Sequence, residues 1–114
     1  MQENAATDGS NEAQATVGKL WEEHLAAEFP AALRGAEPAG IDTVMLDADI
    51  AGCVLTWQNT GGYLDADRQR ILLSRLGDLD RVLPLLVETH EIHYCRRLRR
   101  LAVLISEHGP VLSN

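Results

Sequence analysis

The chain has 114 residues and a formal net charge of -7, enough length for one domain around one core. The acidity excludes nucleic acid as the expected partner, because phosphate repels it at long range. Two cysteines, Cys53 and Cys95, without a CxxC exclude a disulfide framework, and no stretch is long and apolar enough to span a bilayer.

Residues 1–12, MQENAATDGSNE, hold no large apolar side chain after Met1 and cannot offset the entropy of ordering. They are expected to form a disordered tail, with the domain spanning 13–109 and a second short tail at 110–114. The first helix is predicted from near Ala13 to about Glu28, with Val17, Leu20, Trp21 and Leu25 on one side. Ala31, Ala32 and Leu33 add a further turn after Pro30, and Gly35, Pro38 and Gly40 mark a loop.

The second helix is the clearest. Leu46, Ile50, Cys53, Val54 and Trp57 recur at helical spacing, and Asp42 or Asp47 supplies the N-cap. Gly52 lies inside it at a cost of about 1 kcal/mol relative to Ala, and a close helix crossing is the expected reason. Asn59, Thr60, Gly61 and Gly62 end the helix, glycine supplying a left-handed cap.

Asp65 caps the third helix, whose stripe is Leu72, Leu76, Leu79, Leu83 and Leu86, with Arg68, Arg70 and Arg75 outside. A break near Gly77 or a kink near Asp80–Pro84 is expected, since proline removes a donor and clashes with the preceding turn. The last helix runs from Glu88 to Glu107 on the stripe Tyr94, Leu98, Leu101 and Ile105, with Gly109-Pro110 as its stop. The expected fold class is all-α: a compact antiparallel bundle of four to five helices with a disordered N-terminal tail.

Charge is split along the chain. Residues 1–65 carry eleven acidic and two basic side chains, and residues 66–114 carry six acidic and eight basic. The two halves therefore offer complementary faces, within one chain or between copies. Lys19 is the sole lysine; the remaining basic residues are arginines.

Three constellations bear on chemistry. His90 and His93 share a helical face at i, i+3 and, with His24 from the first helix, form a candidate transition-metal site; the order is not HExxH. Four arginines in Arg96–Arg100 resemble a phosphate patch. They spread around the helix, lack interleaved aromatics, and are expected to pair with Asp78, Asp80 or the acidic half. Asp42, Asp47 and Asp49 read as helix caps more than as acid–base or calcium ligands. The thiols lie in apolar stripes and no serine sits in a GxSxG elbow, so nucleophilic catalysis has no support, and no cofactor is implied. An active site built from distant residues stays open.

The segments Gly40-Ile41-Asp42, Leu46-Asp47, Ala51-Gly52-Cys53, Asp78-Leu79 and Tyr94–Leu98 resemble those of small helical proteins of Streptomyces-like actinobacteria, over most of residues 15–107. The resemblance implies a compact cytoplasmic helical protein and lends no catalytic residue. The expected function is a non-enzymatic, self-associating protein-interaction module of the cytoplasm, without membrane or nucleic-acid partners. Trp57, Tyr63, Arg96 and Arg100 are its expected contact residues. A metal- or small-molecule-binding protein using His90 and His93, and an acidic immunity-type inhibitor of a basic protein, are the alternatives.

Overall fold

Four α-helices carry the chain in the computed structural model, which describes residues 5–107, with side chains from residue 11 onward. They are α1 (Ala5–Ala26), α2 (Thr43–Asn59), α3 (Ala66–Val82) and α4 (Thr89–Glu107), with short 3-10 turns at Ala31–Leu33, Pro38–Gly40 and Leu83–Leu85. Among the described residues there is no strand.

Helix α1 starts at Ala5, eight residues before the expected Ala13. Once Val17 and Trp21 fix the helix in the core, extension toward the N-terminus needs no new nucleus, so a polar stretch can follow. Residues 1–4 of the expected tail, the Gly109-Pro110 stop and the tail at 110–114 lie outside the described residues. α2 is capped by Asp42, whose side chain accepts from the Met45 N–H at 3.1 Å, and α3 by Asp65, which accepts from the Arg68 N–H at 2.8 Å. Asp47 is therefore no cap. α2 closes as expected: the Gly62 N–H donates to the Trp57 carbonyl, and Gly61 and Gly62 have φ of 76° and 109°.

α3 continues through Gly77 and stops at Val82, where the 3-10 turn Leu83–Leu85, with Pro84 at its middle, follows. Of the two expected interruptions, proline makes the one observed, because an exposed glycine only lowers helix propensity whereas proline removes the hydrogen bond.

Cross-helix bonds give the helix directions. His24 meets Asp47 and Gln14 meets Gly61, so α1 and α2 run opposite ways. Cys53 meets Arg68 and Asp49 meets Arg75, making α2 and α3 antiparallel. Gln69 meets Ser106 and Asp80 meets Arg99, which does the same for α3 and α4. α1 and α3 each pack against both α2 and α4, and α2 touches α4 across the middle. The outward faces of α2 and α4 therefore point to opposite sides of the bundle. Trp57, Leu46, Ile50, Leu72, Leu79, Leu98, Leu101 and Ile105 fill the centre.

The segment joining α1 to α2 covers one end. Leu33 and Ile41 are buried beneath it, and the Thr43 hydroxyl donates to the Leu33 carbonyl at 2.9 Å. Phe29 packs edge-on against Tyr94, and the Arg34 guanidinium lies over the Phe29 ring.

Candidate functional site

Under that covered end, three helices contribute to one polar cluster. Asp47 Oδ1 lies 2.9 Å from His24 Nε2 and 3.1 Å from the Tyr94 hydroxyl, which donates to it. Arg97 Nε donates to His24 Nδ1 at 3.3 Å. Guanidinium nitrogen only donates, so Nδ1 must accept, and the ring proton sits on Nε2 and points at Asp47. The imidazole is buried, stacked on Trp21 and tilted over Tyr94. Burial first, and the Asp47 charge second, push the Tyr94 hydroxyl well above its ordinary pKa. A carboxylate behind an imidazole is the arrangement of an acid–base pair. Here both ring nitrogens are occupied within the protein, so the cluster joins α1, α2 and α4 without presenting a base.

This geometry corrects the metal reading. His24 spends its nitrogens on Asp47 and Arg97, while His90 and His93 are exposed on α4. Among the described residues no group of three or more His, Cys, Asp or Glu is placed to hold a metal ion. Spacing along α4 put two histidines on one face, but the third ligand depends on how α1 turns, and α1 turns His24 inward.

The expected contact residues separate in the same way. Trp57 is 1% exposed and belongs to the core, because it shares the stripe of Leu46 and Ile50. Tyr63 is half-buried, and its backbone is tied to the Thr60 hydroxyl. Arg96 and Arg100 are exposed on the outward side of α4 and, among the described residues, form no ion pair. Arg99 pairs with Asp80 as expected, whereas Asp78 is taken by Arg75 and Arg81 of its own helix. Arg75 is also turned toward α2, where it grips Asp49 at 2.7 Å, and so does not lie outside with Arg70. Cys53 and Cys95 are free and buried. Desolvation raises both thiols, Cys95 to about 11, which keeps them protonated and unreactive.

The feature missed in the sequence is the outward face of α2. Val44, Met45, Ala48, Gly52, Leu55 and Asn59 are exposed along it, and none is charged. The two charges of the helix, Asp47 and Asp49, lie on its flanks and are held by His24 and Arg75. Met45 is 50% and Leu55 45% exposed. The close crossing expected at Gly52 is absent: a Cβ there meets nothing within 4 Å. The neighbouring helices flank the face. Leu25, 66% exposed, lies on the side of α1 that carries Gln14 and Trp21, at i, i+7 and i+11 from Gln14, which reaches the end of α2. Ile71, 44% exposed, lies on α3 four residues before Arg75, whose side chain bonds Asp49 of α2. Val44, Met45 and Leu55 thus form an uncharged apolar face on α2, with Leu25 of α1 and Ile71 of α3 exposed beyond its flanking charges. The signal was present in the sequence: a helix whose only two charged residues both fall on its flanks leaves its outward face uncharged.

Comparison of the chain with protein-family models, with curated proteins and with solved structures gives no match.

Proposed function

We propose that the chain is a non-enzymatic helical interaction module that pairs with a second copy of itself through the outward face of α2. The observation that supports this reading is the uncharged outward face of α2, on which Val44, Met45 and Leu55 are exposed. Exposed apolar surface that is contiguous, not scattered, marks a docking face.

A second copy fits the chemistry of this face. A net charge of -7 makes two copies repel one another at long range. Across the face of α2, identical surfaces meet without like charge opposing like, as a twofold interface requires. Ala48 and Gly52, one helical turn apart at its centre, let a second backbone come close. This gives Gly52 a crossing partner outside the chain in place of the one absent inside it.

Sedimentation equilibrium tests the proposal. The wild-type chain is expected to approach twice the mass of one chain as concentration rises, and Leu55→Glu, which would bury an unpaired carboxylate in the contact, to stay monomeric with an unchanged helical spectrum. A wild-type chain that remains monomeric into the millimolar range contradicts the reading.

A further inference from the structure

We propose that His24 is a proton switch for Arg97: a neutral imidazole holds the guanidinium docked, and a second ring proton releases it to the outward side of α4. The two bonds of the ring carry the argument. Nε2 donates its proton to Asp47 at 2.9 Å, and Nδ1 accepts from Arg97 Nε at 3.3 Å. An incoming proton has one place to go on this ring, the lone pair of Nδ1. That lone pair is the one Arg97 uses. Once it is taken, N–H faces N–H and guanidinium faces imidazolium, so the contact turns from a bond into a repulsion. The opposite edge of the ring gains. There the imidazolium and the Asp47 carboxylate become an ion pair whose hydrogen bond is already made. The second proton therefore keeps the bond from α1 to α2 and gives up the one to α4.

The groups around the ring leave this proton to His24. Trp21 of α1 stacks on it and is uncharged. α2 supplies Asp47, and α4 supplies Tyr94 and Arg97. Cys95, next to Tyr94, feels the charges of Asp47 and Glu91. The segment joining α1 to α2 places Phe29 against Tyr94, with the Arg34 guanidinium over the Phe29 ring. Among the described residues α3 gives the ring no hydrogen bond or ion pair. Burial holds the Tyr94 hydroxyl and the Cys95 thiol above their ordinary values, so both stay protonated in acid. Arginine keeps its charge throughout. Imidazole is the side chain built to change charge near neutrality.

Arg97 is free to leave and has a place to go. It is half-buried, whereas His24 is 5% exposed, so its departure does not require the core to open. Its other hold is the Tyr94 ring, 5.5 Å from its Cζ, and a cation over a ring at a partly exposed site is held weakly. On the helical wheel Arg100 falls between Arg96 and Arg97. Arg96 and Arg100 form no ion pair among the described residues, so a released Arg97 makes three neighbouring free cations, and does so in acid alone. The switch lies on α1 and α4 and does not rest on pairing through α2.

Nitrogen–proton correlation spectra of the full chain test the switch, recorded from about pH 8 down to about pH 5, where imidazole changes charge. They read the His24 ring nitrogens and the Arg97 Nε–H together, with His24→Gln and Arg97→Met for assignment. At the upper end Nδ1 is expected to be bare and the Arg97 Nε–H protected from exchange with water. As pH falls, Nδ1 is expected to gain its proton and Arg97 Nε–H to lose its protection at one midpoint, with the helical spectrum unchanged. In His24→Gln the Arg97 signal is expected to show no transition. In Arg97→Met, where no guanidinium opposes the proton, Nδ1 is expected to be protonated at higher pH than in wild type. Four results overturn the proposal: an Arg97 Nε–H that stays protected after Nδ1 is protonated, a proton taken by Asp47 while Nδ1 stays bare, an Nδ1 that stays bare across the whole range, or an Arg97→Met chain that titrates as wild type does.

Discussion

Asp47 sits where three helices meet and takes hydrogen bonds from His24 and Tyr94 on a single oxygen. Its replacement by Ala strands the His24 Nε2–H and the Tyr94 hydroxyl in the interior. Asp47→Ala is therefore expected to lose about 1–3 kcal/mol of stability in urea denaturation, and Asp47→Asn, which keeps an acceptor oxygen, to recover at least half. Equal loss in both would mean that the hydrogen bonds do not hold the cluster. Cys95 gives a pH-dependent test. Burial raises its thiol from 9.0 to about 11, so between those values the unfolded chain loses a proton that the folded chain keeps. Stability is full below pH 9 and falls as pH rises, by up to about 1.4 kcal/mol per pH unit for this group. Tyr94 is shifted in the same direction and adds to the loss at higher pH. Denaturation series between pH 8 and 11 should show this fall, and Cys95→Ala should make it shallower; an unchanged slope in that variant would assign the effect to Cys53 and Tyr94 alone. None of these partnerships was legible in the sequence. His24, Asp47 and Tyr94 are far apart along the chain, and nothing local to any of them names the other two. The same gap put His24 beside His90 and His93 in the sequence reading.

Within an element, far more could be read. The stripe Leu46, Ile50, Cys53, Val54 and Trp57 is buried as its spacing requires, and Asp65 and the Gly61-Gly62 pair do the capping their chemistry suits. The errors came where one residue type serves two ends. Trp57 is large enough for a core or a contact surface, and its place in the stripe, not its size, decides between them. Gly52 is tolerated for close approach or simply at a cost, and only the space around it tells which. That space makes a paired prediction. Gly52 and Gly77 are both exposed helix-interior glycines with nothing within 4 Å of an added Cβ. Ala at either position is expected to raise the folding stability of the monomer by about 0.5–1 kcal/mol in chemical denaturation at low protein concentration. Only Gly52→Ala should also weaken self-association in sedimentation, since Gly77 lies on α3 away from that apolar face. Identical sedimentation of the two variants would remove Gly52 from the interface.

At the scale of the molecule the bundle has two unlike outward sides. α4 presents Arg96 and Arg100, and α2, across the core from it, presents aliphatic and small residues. The all-α antiparallel fold followed from periodicity because burial of a stripe is a local requirement repeated in each helix. Which outward face lacks charge follows from the same wheel once the buried side of α2 is known, and the proposed contact surface lies there and not at Arg96 and Arg100. The most direct measurement is backbone amide shift mapping of the wild-type chain from micromolar to millimolar concentration. The account predicts concentration-dependent shifts confined to Leu25, Val44, Met45, Ala48, Gly52, Leu55, Ile71 and their immediate neighbours. Spectra that do not change with concentration, or shifts gathered around Arg96 and Arg100, would contradict it.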